Sequence, residues 1–295
     1  LRRAELPDRL VVVGAGPIGM ELGQALSRLG SRVTIVELLP AVLSMADAEV
    51  GELLVESLEG EGIELLLGAK VKRAERGPDG GKRLVVDHRA ETRTIDADVI
   101  LIGAGRVPAI GALDLDAAGV EHTSRGIAVN ARLATSGSGV YAAGDVLGAP
   151  YGPFTHVARR LGREVVENAL ELDPHDVSIE WGPHAIFTDP NVVMVGISEA
   201  DARAAGHDVK VGTSNFSGGR ARAIGEERGF AKVVTDAGSG RILGAQIIGH
   251  HAADLIHPIA VAMNAGDGTT DPIFTTMHVH PTLGEVVKSA ADRAR

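Results

Sequence analysis

The distribution of apolar residues predicts short buried strands alternating with amphipathic helices near the start of the chain. Residues 9–13 form a continuous apolar run rich in β-branched side chains, which is typical of a strand buried on both faces. A glycine-rich turn follows at 14–19, and apolar residues then recur with helical spacing up to Gly30. A second strand at 32–36 ends in Glu37. Strand, glycine turn, helix, strand and acid within about 30 residues predict a βαβ unit.

The same patterns predict the later elements and a division into three domains. Expected strands lie at 63–67, 69–75, 83–86, 98–102, 192–195, 230–234 and 242–248. Expected helices lie at 47–58, 155–170, 198–205 and 252–264, and turns lie at 77–81 and 236–240, the second closing a hairpin. The fold class is therefore α/β with an α+β region at the end, divided at 1–105, 106–181 and 182–295.

The glycine turn indicates a dinucleotide site. Gly14 permits the tight turn, Gly16 lets the backbone approach a pyrophosphate, and Gly19 lets helix and strand pack closely. Glu37 lies where a carboxylate can accept hydrogen bonds from both ribose hydroxyls and would repel a 2′-phosphate. The sequence therefore favours NAD(H) over NADP(H), although a ligand-free turn and a solvated strand-end acid stay open as alternatives.

Composition narrows the classes of function. The 39 acidic and 29 basic residues give a net charge of −10, which argues against nucleic-acid or anionic-membrane surfaces. No apolar run reaches the roughly 18 residues that span a bilayer. The first five residues show no signal-peptide core, so the expected location is cytoplasmic. With no cysteine, the chain itself supplies no disulfide, thiolate metal site or cysteine nucleophile.

Four motifs, in order, resemble the pyridine nucleotide–disulfide oxidoreductases, a family of flavoproteins. The first is the turn at 14–21 together with Glu37; residues 139–146 resemble the second flavin motif of that family. Residues 185–190 and 195–199 resemble the opening of its dimerisation domain, and residues 280–285 resemble its C-terminal catalytic motif. Glu37 combined with that last motif looks most like the branch that oxidises dihydrolipoamide with NAD⁺.

The resemblance implies a Rossmann-like NAD-binding domain, the return segment of an FAD-binding domain and a dimerisation domain. It implies NAD contacts at Gly14, Gly16, Pro17, Ile18, Gly19, Glu21, Glu37, Val71 and Gly105. It implies FAD contacts at Asp145, Pro153, Phe154, Thr155 and His156. It makes His280 the general base for a substrate thiol, supported by Glu285, which suits a thiol of pKa near 8.5 that attacks only as thiolate.

Other histidines receive no role from the resemblance. His278 lacks a motif partner, and we expect His250, His251 and His257 to be surface or interface residues, with no metal site. The resemblance further implies a homodimer acting on dihydrolipoamide or another dithiol or disulfide, possibly within a 2-oxoacid dehydrogenase complex.

The first third of the family pattern does not occur in these residues. Family members begin with an FAD-binding βαβ unit and a C-x4-C redox pair, so we expect this chain to be part of a longer protein and inactive by itself. Two alternatives stay open: a catalytically silent NAD-binding and dimerisation module, and a related NADH-dependent quinone or disulfide reductase.

Overall fold

The computed structural model describes residues 5–77, 80–148, 152–178 and 182–295. The expectations for residues 1–4 and for Pro78 and Asp79 of the predicted turn lie outside the described residues. Packing divides the chain into two units. The larger unit contains the residues up to Ala104 together with Pro183–Arg295, and the smaller unit is Gly105–Gly182. The predicted three-domain division stays a prediction.

The N-terminal part of the larger unit is a four-stranded parallel sheet with an attached three-stranded antiparallel sheet. Its elements are β1 (Arg9–Val13), α1 (Pro17–Arg28), β2 (Arg32–Val36), α2 (Ala48–Gly60), β3 (Glu64–Leu66), β4 (Lys70–Arg76), β5 (Lys82–His88), β6 (Glu91–Ala97) and β7 (Val99–Ile102). The parallel sheet has the order β3-β2-β1-β7, and β4, β5 and β6 follow one another in the second sheet. The predicted βαβ unit is confirmed.

Strand β6 was not expected from the sequence. It is mostly polar and exposed, yet it pairs with β5 along its whole length, from Lys82 opposite Ala97 to His88 opposite Glu91. The two-residue connection uses Arg89 and Ala90, which have φ of 52° and 65°. Such turns normally contain Asn or Gly, so this hairpin carries none of the usual sequence signal.

In the residues that the structure describes, the smaller unit contains little regular structure. Its regular elements are β8 (His122–Thr123), β9 (Gly126–Ile127), a 3₁₀ turn (Gly144–Leu147) and α3 (Thr155–Ala169). Its core gathers around Leu133 and Leu161, which are fully buried. The helix expected at 155–170 is confirmed.

The C-terminal part of the larger unit is a five-stranded antiparallel sheet covered by helices. Its elements are β10 (His184–Ile186), β11 (Asn191–Gly196), α4 (Glu199–Ala204), β12 (Val209–Asn215), α5 (Gly219–Ile224), β13 (Phe230–Asp236), β14 (Ile242–Gly249), α6 (Ala252–Leu255), α7 (His257–Met263), α8 (Asp271–Thr275) and α9 (Gly284–Arg293). The strand order is β10-β11-β14-β13-β12. The β13–β14 hairpin confirms the turn expected at 236–240.

Several features here differ from the sequence expectation. Strands β10 and β12 and helices α5, α8 and α9 were not expected. The single helix expected at 252–264 is wrong, because the structure breaks it at Ile256 into α6 and α7. Pro258 explains the break, since it lacks the N–H that a continuing helix needs. Helix α9 lies so close to β12 that a Cβ on Gly212 would be 2.0 Å from the Ala290 carbonyl oxygen.

Both parts of the larger unit share one hydrophobic core. Buried residues of the parallel sheet and its helices, such as Val12 and Leu54, belong to the same cluster as Ile186, Val192 and Ile248 of the antiparallel sheet. In the part of the chain that the structure describes, no helix is both long and apolar enough to cross a membrane.

A buried lysine joins the two parts electrostatically. The Nζ of Lys232 on β13 lies 3.0 Å from Asp47 Oδ2, 2.5 Å from Glu49 Oε1 and 2.8 Å from Glu199 Oε2. The side chains of Lys232 and Asp47 are each 5% exposed. Burial lowers the pKa of Lys232, but its hydrogen bonds to the three carboxylates outweigh that effect and raise the pKa above the ordinary lysine value.

Asp47 links the charged cluster around Lys232 to backbone N–H groups of α4 and to β14. Its carboxylate accepts hydrogen bonds of 3.2 Å from the backbone N–H groups of Glu199 and Ala200 at the start of α4. Its own N–H donates to Gln246 Oε1 at 3.0 Å. The start of α2 is thereby attached to α4, β13 and β14.

We predict that Lys232→Met lowers the free energy of unfolding by about 3–5 kcal/mol, because it leaves partly buried carboxylates without their counterion. Lys210→Met on the exposed face of β12 is the matched control and should cost less than about 1 kcal/mol. Urea unfolding followed by circular dichroism measures both. Equal losses in the two variants would contradict the role given to the buried charge.

Candidate functional site

The three glycines of the first turn serve different structural purposes. A Cβ on Gly14 would lie 2.7 Å from the Gly103 carbonyl oxygen, and one on Gly19 would lie 2.0 Å from the Gly14 carbonyl oxygen. These two glycines are therefore required by packing between β1, α1 and the end of β7. At Gly16 the nearest atom to an added Cβ is 3.9 Å away, so its face of the turn is open.

The N-terminus of α1 is available to an anion. Gly16 is the N-cap, Pro17 occupies the first turn, and no described side chain caps the helix or places an acid in that turn. Ile18 is 43% exposed beside it. An uncapped helix start carries partial positive charge and unpaired N–H groups. Together with the open face at Gly16, this geometry fits a dinucleotide pyrophosphate.

Glu37 is held directly beside the glycine turn. Its Oε2 accepts a 2.7 Å hydrogen bond from the Ala15 N–H, and its Oε1 accepts a 2.8 Å bond from the Leu39 N–H. A carboxylate oxygen can accept more than one hydrogen bond, so these contacts orient the group without exhausting it. The structure therefore places Glu37 and the turn together, as the sequence predicted for a βαβ unit.

Each of the other residues expected to contact NAD lies in a different local environment. Glu21 on α1 accepts a 2.9 Å hydrogen bond at Oε1 from the backbone N–H of Phe187. Val71 on β4 packs at the edge of a core cluster. Gly105 has a φ of 106° and open space where a Cβ would stand. Their role as nucleotide contacts stays a prediction.

In the smaller unit, an arginine connects the residues expected to contact FAD. Asp145 lies in the 3₁₀ turn, and its Oδ2 is 3.7 Å from Nη1 of Arg106. Nη2 of Arg106 donates a 2.6 Å hydrogen bond to the Pro153 carbonyl. Arg106 was missed in the sequence; its only signal is that it directly follows the glycines after β7.

Pro153 to His156 lead into α3. The rings of Phe154 and His156 stack with centroids 5.7 Å apart, and Thr155 is the first residue of the helix. Phe154 occupies the N-cap position without a side-chain cap among the described residues. The start of a helix near Asp145 and Arg106 is compatible with part of a flavin site. That role stays a prediction.

His280 and Glu285 form a hydrogen-bonded pair. The Nδ1 of His280 lies 3.0 Å from Glu285 Oε1 and 3.2 Å from Oε2. The bond from His280, and a second from the Thr282 N–H at 3.0 Å, hold the pKa of Glu285 below its ordinary value. Glu285 also lies in the first turn of α9, where the helix favours negative charge.

This pairing sets the chemistry of the imidazole. With the proton on Nδ1 directed at the carboxylate, Nε2 carries the lone pair. The His280 side chain is 74% exposed, so Nε2 is accessible to a substrate. The arrangement can therefore accept a proton at Nε2 and stabilise the resulting imidazolium through Glu285.

The remaining histidines are engaged elsewhere. His278 is hydrogen-bonded through Nε2 to the Ile273 carbonyl at 2.9 Å. His251 pairs with Asp254 at 3.1 Å, and His250 lies 3.6 Å from Glu226. Within the described ranges, the groups whose spacing could suit a metal are Glu164, Glu167 and His175, and the three acids around Lys232. The absence of a metal site stays a prediction.

Comparison with known proteins decides the family. Residues 1–169 match the model described as pyridine nucleotide-disulphide oxidoreductase, and residues 182–291 match the dimerisation domain of that name. The chain belongs to the pyridine nucleotide-disulphide oxidoreductase family. The resemblance and the α/β fold class inferred from the sequence are thereby confirmed.

Curated relatives in this family include dihydrolipoyl dehydrogenases. The enzyme of that name from Thermus scotoductus is 39% identical over 291 residues, covering 97% of this chain and 62% of the relative. The one from Chlorobaculum tepidum is 38% identical over 289 residues, covering 97% of this chain and 61% of the relative. The chain thus spans about three fifths of the length of these relatives.

Two solved structures show the same fold. LpdA from Mycobacterium tuberculosis matches with a TM-score of 0.89 and 28% identity, covering 99% of this chain and 62% of that one. The flavoprotein disulfide reductase RclA from Escherichia coli matches with a TM-score of 0.88 and 26% identity, covering 99% and 65%.

We predict that alanine substitutions at Gly19 and at Gly16 have different effects on stability and on NADH binding. Gly19→Ala should destabilise the protein by about 1–3 kcal/mol, because its Cβ meets backbone. Gly16→Ala should change stability by less than about 0.5 kcal/mol yet abolish NADH binding, because the methyl group fills the open face. Thermal unfolding and NADH fluorescence titration measure the two effects. Normal NADH binding by the Gly16 variant would remove this turn from the nucleotide site.

Proposed function

We propose that this chain supplies the NAD-binding and interface parts of a dihydrolipoyl dehydrogenase, which oxidises dihydrolipoamide with NAD⁺. The observation that carries the proposal is the His280–Glu285 pair, with Nδ1 directed to the carboxylate and Nε2 accessible. The names of the curated relatives support the same reaction. In that reaction, dihydrolipoamide loses two electrons and two protons, NAD⁺ gains a hydride, and one proton is released.

The residues of the glycine turn would bind and orient NAD. The open face at Gly16 and the uncapped start of α1 suit the pyrophosphate, and Glu37 suits the ribose hydroxyls. Glu21, Val71 and Gly105 would complete the nucleotide site. Since the carboxylate of Glu37 repels a 2′-phosphate, the proposed cofactor is NAD rather than NADP.

The residues around Asp145 would hold FAD. When bound, FAD supplies the electron transfer between dithiol and nicotinamide. Asp145 would bind the ribityl chain, and residues 153–156 would lie along the ring system, positioned by Arg106. The chain contains no cysteine, so the redox disulfide has to come from other sequence.

His280 would take the proton of the substrate thiol at Nε2. A thiol of pKa near 8.5 is mostly protonated at neutral pH, and a neutral imidazole is suited to remove its proton. Glu285 would hold the tautomer and stabilise the imidazolium. Residues 182–291 match a dimerisation domain, which supports a homodimer. Dihydrolipoamide within a 2-oxoacid dehydrogenase complex is the proposed partner, and a cytoplasmic location stays a prediction.

We predict that this chain binds NADH at least about tenfold more tightly than NADPH, a difference of 1.4 kcal/mol. Glu37→Gln should reduce the difference between the affinities for NADH and NADPH, because it removes the charge that repels the 2′-phosphate of NADPH. Glu64→Gln is the control, since Glu64 starts β3 and interacts with Thr34 and Arg93. Isothermal titration with both nucleotides measures the preference. Equal affinities in the unmodified chain would refute the assignment to NAD.

The next prediction concerns a protein in which a segment carrying the FAD site and the redox cysteines is joined ahead of residue 1 of this chain. In that protein, we predict that His280→Gln slows dihydrolipoamide oxidation by about 10²–10⁴-fold. The control His278→Gln should stay near normal, because His278 is bonded to the Ile273 carbonyl. The visible flavin spectrum shows whether each variant holds FAD. A flavin-loaded protein that does not turn over dihydrolipoamide before mutation would support the silent-module alternative instead.

A further inference from the structure

His175, near the end of the smaller unit, has an oxygen acceptor at each ring nitrogen. Its Nδ1 lies 2.6 Å from the Asp173 carbonyl oxygen, and its Nε2 lies 2.5 Å from Glu164 Oε2. A carbonyl oxygen can only accept, so Nδ1 carries a proton. The Glu164 carboxyl has a lowered pKa, because the bonds from His175 and Arg160 outweigh the opposing effect of its burial. An ionised carboxylate also only accepts, so Nε2 carries a proton as well.

Both acceptors can receive a hydrogen bond from the ring at the same time only when the ring is doubly protonated. A neutral imidazole has one N–H and could satisfy only one of the two acceptors, leaving a lone pair directed at an oxygen. The bond to the Asp173 carbonyl, followed by that to Glu164, raises the pKa of His175 above its ordinary value. The positive charge thus belongs to the folded arrangement.

The ring lies between α3 and the chain that follows it. Asn168, which is buried, donates to the His175 carbonyl at 3.0 Å and accepts from the His175 N–H at 2.8 Å. Further along, the Val177 N–H donates to the Ala131 carbonyl at 2.8 Å. Residues 170–178, which we name the exit segment, are thereby attached to α3 and to the loop that follows β9. Val177 packs against the core of the smaller unit, whereas most other residues of this segment are exposed and contribute little apolar packing.

The charged groups around the ring come from three elements. Helix α3 contributes Arg160, Arg163, Glu164 and Glu167; the exit segment contributes Asp173 and Asp176; and the loop after β9 contributes Arg132. Arg160 and Arg163 pair with Glu164 and Glu167, and Arg132 lies 3.7 Å from Asp176. Within the described residues, His175 is the one group in this set whose ordinary pKa lies near neutrality.

We propose that His175 is a proton-dependent clasp: its doubly protonated ring fastens the exit segment to α3, and release of one proton to solvent loosens that segment. Because the folded state raises the pKa of His175, the clasp is complete below the unfolded value of about 6.5 and is lost as the pH rises through the folded value. The inference is independent of the proposed enzymatic activity.

Nuclear magnetic resonance tests the protonation of the ring. The imidazole carbon signals of the chain are followed from pH 5 to 9.5, with His175→Gln to identify the His175 signal. A chelator is included, because donor atoms of Glu164, Glu167 and His175 lie within 4.8 Å of one another and a divalent cation would displace the proton. We expect His175 to titrate above about 6.5. A midpoint at or below that value would overturn the clasp.

Matched variants one turn apart test the partner. Glu164→Gln should lower the pKa of His175 more than Glu167→Gln does, because Glu164 bonds to His175 whereas Glu167 pairs with Arg163. Equal shifts would show that general charge, rather than the specific bond, controls the ring.

Hydrogen exchange tests the loosening itself. Amides of residues 171–178 should lose protection between pH 6 and the high-pH end of the titration, after correction for intrinsic exchange rates. In His175→Gln the protection should not vary with pH in that way. Protection in the unmodified chain that does not change as His175 titrates would contradict the proposal, even if the ring has a raised pKa.

Discussion

The larger unit depends on the burial of one ammonium group among three carboxylates. Lys232 comes from the antiparallel sheet, Asp47 and Glu49 come from the start of α2, and Glu199 comes from the start of α4. A charge removed from water is costly unless it is paired and hydrogen-bonded, so this lysine requires α2 to be in position. Asp47 in turn bonds the first N–H groups of α4, which ties helix starts from both parts to one site.

This attachment joins the region around the glycine turn to the antiparallel sheet. The glycine turn, α1 and Glu37 are built on the parallel sheet, whose core continues into the antiparallel sheet through Ile186, Val192 and Ile248. Helix α1 also contacts the second part directly, through Glu21 and through Gln24, which bonds both N–H and C=O of Asp189. A bound nucleotide would therefore rest on a scaffold made from two distant stretches of sequence.

Local signals identified the glycine turn and the His280–Glu285 pair because each is short in sequence. The βαβ unit spans consecutive residues whose apolar periodicity changes from strand to helix and back. Glu285 lies five residues after His280, and the intervening Thr282 donates to the same carboxylate, so one short segment determines the pair. The helix expected at 252–264 failed for an equally local reason, the proline at 258.

Other features had no local signal. Strand β6 is polar and exposed, and its turn at Arg89 and Ala90 lacks the usual residues; it forms because β5 offers a complete row of hydrogen-bonding partners. Arg106 is connected to Pro153 across 47 residues, and its role in joining the Asp145 region depends on how the smaller unit folds. Likewise, a histidine in the polar stretch after α3 gives no indication that both ring nitrogens meet acceptors.

The sequence alone determined the family, the α/β class, the position of the glycine turn and the pairing of His280 with Glu285, because periodicity, glycine placement and short spacing express local geometry. Only the tertiary structure decided which charges meet. Lys232 and Glu49 are 183 residues apart in sequence, and nothing near either residue specifies the other. Their contact follows from the packing of α2 against the antiparallel sheet, since long-range neighbours are set by the shared core rather than by adjacent residues.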